Sequence, residues 1–222
     1  MTRSIAIDGP AGAGKSTIAK GIAKKKGFIY VDTGAMYRAM GLYYKERGIA
    51  ADDTEKIEAA LEDIHVTISY ENGEQIVLLN GENVNSKIRT PEIGNMASGV
   101  STNKAVREKM VSLQKEIART RSVVMDGRDI GTVVLPDALV KIFLTASVDV
   151  RTERRYEELK AKGMECDKAK LREEIIERDY RDTHRENSPL KKADDAVEVD
   201  TTELNAEQVI EKILDIAGSK GL

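Results

Sequence analysis

One cysteine and two histidines are all that this chain of 222 residues offers to soft metals and to oxidation. Cys166 has no partner for an internal disulfide, and the scarcity of cysteine fits a reducing compartment. It lies in a charged stretch and reads as an incidental surface thiol. His65 and His184 are far apart, and no Cys/His spacing suggests a zinc site. No apolar run approaches the length of a membrane span, and the N-terminus leads into a strand instead of a signal segment. A soluble, cytoplasmic chain is therefore expected. Nor is there a charge excess: 35 basic against 38 acidic side chains give a net charge of -3, which argues against broad electrostatic binding to nucleic acid or an acidic membrane. Tryptophan is absent, but 41% apolar and 33% charged residues suit a globular protein. The length allows one α/β domain with a sizeable core, with or without small appendages.

What is present is a phosphate-binding loop. Gly9, Pro10, Ala11, Gly12, Ala13, Gly14, Lys15, Ser16 and Thr17 follow the β-branched run Ile5-Ala6-Ile7 and open a segment with apolar residues at helical spacing. The glycines let successive backbone N–H groups converge on a phosphate, and the helix N-terminus adds its positive end. Lys15 has the reach for the β- and γ-phosphates, and the Ser16 hydroxyl suits Mg²⁺. The whole pattern, between a strand and a helix, points to a nucleoside triphosphate.

Further along, Ile29 to Asp32 reads as a strand, followed by a turn at Thr33-Gly34 and a helix over about 35–47. Residues 52–64 look helical. Then the period changes: 65–70 alternates, Glu71-Asn72-Gly73 turns, 75–79 runs back, and Asn80-Gly81 marks another turn. This antiparallel piece reads as an insert of about 65–90. Residues 91–120 are helical with a break at 101–103. Strands are expected at 122–126, 140–144 and 198–200, a charged helical region at 150–185 interrupted near Gly163, and a final helix at 206–216. Strands alternating with helices imply a parallel sheet with right-handed crossovers.

Strand 122–126 ends in Asp126, which suits support of a metal, and Asp126-Gly127-Arg128-Asp129 adds a cation and a second carboxylate at an edge where α/β sheets bind ligands. A planar guanidinium there suits a phosphoryl group. Arg151, Arg154 and Arg155 are spaced to point the same way, and Arg178, Asp182 and Arg185 share one helix face. Glu153, Glu157, Glu174 and Glu177 make a solvated, ion-paired helix the rival reading. Mobile cations that close over a triphosphate are what phosphoryl transfer requires.

On these residues the chain resembles the nucleoside monophosphate kinases, and most closely the bacterial-type cytidylate kinases, over essentially its whole length. The markers are the phosphate loop, residues 32–38 (Asp-Thr-Gly-Ala-Met-Tyr-Arg), 126–132 (Asp-Gly-Arg-Asp-Ile-Gly-Thr), 141–144 and 177–182, with the β insert as a further likeness. The resemblance implies a three-layer phosphate-loop kinase fold. Its core would be 1–34, 121–150 and 186–222, its monophosphate-binding arm 35–120, and its lid and following helix 151–185.

The resemblance further implies transfer of the γ-phosphoryl group of ATP to CMP or dCMP, with Mg²⁺ held through Ser16. Lys15, Asp126, Arg128 and Arg178 would carry catalysis. The loop residues 9–17, with Arg154 and Arg155, would bind ATP. Thr33, Arg38, Arg128 and Arg178 would lie at the CMP phosphate, Ser98, Arg107, Asp129 and Arg185 around the cytosine, and Asp182 at the ribose. A carboxylate with arginines complements cytosine's amino donor and its N3 and O2 acceptors. Without the resemblance, Ser98 and Arg107 would pass as ordinary helix residues.

No nucleic acid or membrane is expected as a partner, and a monomer is. Two alternatives stand beside this reading. One is a kinase for another small acceptor, such as UMP, dTMP, AMP or shikimate. The other is a GTPase-type switch, against which Asn103-Lys104-Ala105-Val106 lacks the Asp of the guanine-reading motif.

Overall fold

The computed structural model describes residues 2–222. In chain order its elements are β1 (Ser4–Asp8), α1 (Lys15–Lys26), β2 (Ile29–Asp32), α2 (Thr33–Glu46), α3 (Thr54–Ala59), β3 (Val66–Glu71), β4 (Glu74–Leu79), β5 (Glu82–Asn83), α4 (Pro91–Val100), α5 (Lys104–Thr120), β6 (Val123–Gly127), β7 (Val140–Thr145), α6 (Val148–Ala161), α7 (Lys168–His184), β8 (Val197–Asp200) and α8 (Ala206–Ser219). A 3₁₀ turn spans Leu61–Asp63 and a π-helical turn Ile130–Val134.

Five strands form a parallel sheet in the order β2-β6-β1-β7-β8. The near-continuous apolar runs of β1, β6 and β7 are what a sheet covered on both faces needs. Successive side chains serve opposite layers: Ala6, Val123 and Met125 pack with α2 and the helices that follow it, and Ile5, Ile7 and Val124 with α1 and α8. Each fully buried isoleucine or valine contributes about 1.5–3 kcal/mol through lost contact with water. The three layers are thus written in the alternation of the strands.

Gly9 ends β1 at φ 147°, and a Cβ there would lie 2.1 Å from the Leu144 carbonyl oxygen, so only glycine lets the chain turn so close to β7. The insert is a separate antiparallel sheet, β3-β4-β5. Its first hairpin turns at Asn72 and Gly73, at φ 52° and 81°, the left-handed pair that matches strand twist.

The breaks at 101–103 and near Gly163 fall where the spacing predicts them, between α4 and α5 and between α6 and α7. The expected turn at Thr33-Gly34 is instead the first turn of α2. Asp32 makes the difference, because its Oδ1 accepts from Ala35 N at 2.9 Å and caps the helix directly at the strand end.

Candidate active site

Seven of the eight α-helices have a side chain capping their first turn: Asp32, Asp53, Thr90, Asn103, Ser147, Asp167 and Asn205 serve α2 to α8 in order. Among the described residues α1 alone has none; its cap is Gly14. The free N–H groups of its first turn open into a cleft of about 870 Å³ at the C-terminal end of the sheet. Ala11 to Thr17 line this cleft. Gly9 and Pro10 are not among its lining residues, but the Pro10 carbonyl accepts a 2.6 Å bond from Lys15 Nζ. Burial, and then Arg128, pull the Lys15 pKa well below its usual value, against the opposing pull of Asp126.

Asp126, at the end of β6, faces the loop. Ser16 Oγ donates to its Oδ2 at 3.2 Å and Tyr30 Oη to its Oδ1 at 2.9 Å. Burial first, and the Asp32 carboxylate second, raise its pKa to about 6. No group of three His, Cys, Asp or Glu side chains among the described residues could hold a metal by itself. A hydroxyl backed by a buried carboxylate nevertheless fits Mg²⁺, which takes one or two protein oxygens and fills its shell with water and phosphate. A cation there would also relieve the charge that burial disfavours.

Across the cleft, Arg128 Nε donates to Asp182 Oδ2 at 2.8 Å. Burial opposes the Arg128 charge, but Asp182 outweighs it and raises the pKa. For Asp182 burial acts upward, and Arg128 and Arg178 together hold it below the carboxylate range. Arg178 has a buried Nε with no partner, and burial followed by Arg128 lowers its pKa to about 10. Arg38 is lowered too, by burial and then Arg89, and donates to the Ile88 carbonyl at 3.1 Å. Arg128 and Arg178 share the Asp182 carboxylate, while the carboxylate acting on Arg38 is Asp32, already paired with Arg89; a dianionic phosphate would balance this surplus of guanidinium groups.

Deeper in the cleft, Arg107 pairs with Asp129 Oδ2, and Arg185 Nη2 lies 3.9 Å from Asp129 Oδ1. All three side chains are nearly inaccessible to solvent. Around them Ser98 Oγ, Tyr37 Oη, Arg107 Nε and Arg185 Nη2 are buried without hydrogen-bond partners. Native interiors rarely leave such groups unpaired, and four in one place would suit the polar groups of a ligand. Burial first raises the Tyr37 hydroxyl pKa to about 12, so it stays a donor at neutral pH.

The three arginines of α6 do not point the same way, as their spacing suggested. Arg151 turns inward, bonding the Ala146 and Ala11 carbonyls at 3.0 and 3.1 Å and pairing with Asp179 at 2.6 Å. It braces the floor of the phosphate loop. Arg154 and Arg155 do line the cleft. Arg154 is bonded to Thr201 Oγ1 and the Thr201 carbonyl, at 3.0 and 2.7 Å, and Arg155 to Glu158 at 2.8 Å. Thr33 also lines the cleft, its Oγ1 donating to the Asp126 carbonyl at 2.7 Å.

Sequence reasoning missed several residues that set this geometry. Asp8, buried beside the loop, accepts from Ile130 N and Gly131 N at 2.8 and 2.7 Å and so fixes the turn after Asp129. Burial chiefly raises its pKa to about 6, against those two bonds. Tyr30 orients Asp126, and Arg89 pairs with Asp32 at 2.6 Å. The only early signal for Asp8 was its place between a buried strand and the loop.

Comparison with known proteins bears on this cleft. A sequence profile described as cytidylate kinase matches residues 5–219. The chain is 52% identical over 213 residues to a cytidylate kinase of Caldicellulosiruptor saccharolyticus, covering 96% of this chain and 94% of the relative. It is 51% identical to one of Lactobacillus johnsonii, covering 97% and 94%. With one of Bacillus cereus it shares 50% identity, covering 96% and 95%. Among solved structures, it is similar in fold to a gluconokinase from Sinorhizobium meliloti (TM-score 0.51, 16% identity, 98% and 92% covered). A shikimate kinase from Bacteroides thetaiotaomicron is similar to the same degree (TM-score 0.50, 14% identity, 97% and 98% covered). These two share the architecture of a parallel sheet fed by a phosphate loop, while the half-identical sequences extend over nearly the whole chain, insert included. The chain belongs to the cytidylate kinase family.

Proposed function

We propose that the protein transfers the γ-phosphoryl group of ATP to CMP, and to dCMP, releasing ADP and CDP or dCDP. The observation that carries this reading is the buried Arg107–Asp129–Arg185 cluster with its four unpartnered polar atoms, facing the uncapped start of α1 across one cleft. Cytosine presents an amino donor beside the N3 and O2 acceptors, and a carboxylate flanked by guanidinium and hydroxyl donors is its complement. Ser98, Arg107, Asp129 and Arg185 hold the base. Arg38, Arg128 and Arg178 hold the monophosphate with Thr33 beside them, and Asp182 serves the ribose.

In this reading the loop amides and Lys15 grip the donor's β- and γ-phosphates. Arg154 and Arg155 close over it from a lid formed by 151–185. Residues 1–34, 121–150 and 186–222 are the core, and 35–120 the acceptor arm. The nucleophile is an oxygen of the CMP phosphate, already anionic near neutral pH, so no general base is needed. It attacks the γ-phosphorus as the bond from that phosphorus to the β,γ-bridging oxygen breaks, and the electron pair leaves on ADP. Ser16, backed by Asp126, would hold Mg²⁺, which would supply charge neutralisation on the donor triphosphate. Lys15, Arg128 and Arg178 are aimed where charge shifts during transfer, and their fixed positions spare reorganisation at that moment. Closure also excludes water as a rival nucleophile.

No helix among the described residues is long and apolar enough to cross a membrane, and we place the enzyme in the cytoplasm as a monomer. ADP release measured with ATP and Mg²⁺ across CMP, dCMP, UMP, dTMP and AMP tests the reading. CMP and dCMP are expected to support turnover well above the others. Turnover independent of any added monophosphate would overturn it.

A further inference from the structure

The β insert reaches the parallel sheet at its outer strand, β2. Ile29 turns its backbone toward β6, donating to the Ser122 carbonyl at 3.0 Å. Alternate residues of a strand offer their N–H and C=O to opposite edges, so Tyr30 and Asp32 face outward, with no strand beyond them among the described residues. Side chains of the insert take that strand's place. Tyr70 Oη of β3 donates to the Tyr30 carbonyl at 3.1 Å. Gln75 of β4 uses both ends of its amide on one residue: Oε1 accepts from Asp32 N at 2.8 Å, and Nε2 donates to Asp32 O at 3.2 Å. A second side-chain amide bridges two residues one step out. Asn85 accepts from Val77 N at 3.0 Å and donates to the Gln75 carbonyl at 2.8 Å, so the backbone that carries Gln75 is itself held.

Asp32 is the residue through which this matters. Its Oδ1 caps α2, its Oδ2 pairs with Arg89, and the next residue, Thr33, is bonded to the Asp126 carbonyl. Arg38 follows on α2, and Asp126 bonds Ser16 of the loop. One chain of contacts thus runs Asn85–Gln75–Asp32–Thr33–Asp126–Ser16, from the insert to the donor loop. A side-chain amide that satisfies both backbone groups of one residue fixes that residue's rotation as well as its position, because only one orientation pairs donor with acceptor twice.

We propose that Gln75 is a positioning residue for the acceptor half of the site. It holds the β2–α2 junction at Asp32, and with it Thr33 and Arg38, in the orientation that receives the monophosphate. This is what the insert contributes to the reaction. The inference rests on the reading of the cleft as a CMP kinase site.

The test is Gln75→Met, which keeps the volume and removes both hydrogen bonds, in the full chain with ATP and Mg²⁺. The KM for CMP is expected to rise about tenfold, since small misplacement of binding groups is costly, while the KM for ATP changes by less than about twofold. The Asp32 amide should exchange its hydrogen faster, with the melting temperature nearly unchanged. Gln75→Glu, which keeps the acceptor but sets an oxygen against the Asp32 carbonyl, should raise the CMP KM likewise, and decides the matter if the methionine variant does not fold. An unchanged CMP KM in an otherwise active enzyme, or equal rises in both KM values, overturns the positioning role alone. Absence of CMP-dependent turnover in the unmutated chain overturns the function, and the role with it.

Discussion

Ser16 and Asp126 are 110 positions apart in sequence, yet the serine hydroxyl donates to the aspartate at 3.2 Å. That bond joins the first turn of α1 to the end of β6, the two places proposed above to serve donor and acceptor.

Lys15→Ala removes the cation at the start of α1. Its ammonium is bonded only to the Pro10 carbonyl among the hydrogen bonds described, so the fold has little to lose. The expected loss in kcat is about 10²- to 10³-fold, as for other donors aimed at developing charge, with a circular dichroism spectrum like that of the unmutated chain. Normal turnover would contradict the role of the loop.

Arg185→Ala leaves the Arg107–Asp129 pair in place and removes a donor beside it. A charge-assisted hydrogen bond is worth about 1.5–3 kcal/mol, so the KM for CMP should rise roughly 10- to 100-fold. The KM for ATP should hardly move. Asp129→Ala should have the same kinetic sign, but it strands Arg107 in the interior, and a drop of several degrees in melting temperature is expected with it. Equal effects of Arg185→Ala on the two substrates would argue against a place at the base.

Tyr30→Phe deletes the donor at Asp126 Oδ1 and nothing else of that ring. Groups that orient a metal-supporting carboxylate typically affect metal affinity about 10- to 100-fold. The Mg²⁺ concentration for half-maximal rate should therefore increase, with CMP and ATP saturating. Because the tyrosine bond lowers the Asp126 pKa, the acid limb of the rate profile should also move to higher pH. A profile that stays put would separate Tyr30 from the proposed Mg²⁺ site.

Asp126→Asn tests the electrostatics through stability. The folded-state pKa of Asp126, about 6, lies above the ordinary 3.8, so its ionised form disfavours folding at neutral pH. That penalty disappears as pH falls from about 6 to 3.8, where the folded state takes up the proton first. Without nucleotide or Mg²⁺, the asparagine variant should melt a few degrees higher than the unmutated chain at pH 8 and about level with it at pH 4. A gap that widens on acidification would contradict the sign of the shift.

How much of this was legible depended on the range of the interaction that decided it. The loop could be read because its chemistry is local: glycines, Lys15 and Ser16 act within nine consecutive positions. Helix breaks at 101–103 and near Gly163 were equally local, and so were the hairpin turns. The Thr33-Gly34 turn was misread because Asp32 looked like a strand end, and its second role as a helix cap depends on the backbone path after it. Arg151 and Arg154 were indistinguishable by spacing; only the fold shows one bracing the loop and the other facing the cleft. Gln75 opened the segment 75–79 just after the Glu71-Asn72-Gly73 turn, where a solvated side chain is the ordinary expectation. Its partner lies 43 residues away, and that of Asp8 lies more than 120. Nothing in either neighbourhood announces the contact.

The amide of Gln75 and the hydroxyl of Tyr70 also bear on how molecules of this protein meet one another. An uncovered outer strand is a template onto which a second chain can add its own, the usual route to edge-to-edge aggregation. Here the outward Tyr30 carbonyl and both backbone groups of Asp32 are already spoken for by the insert. The same few side-chain atoms therefore leave those backbone groups unavailable to a strand of a second chain.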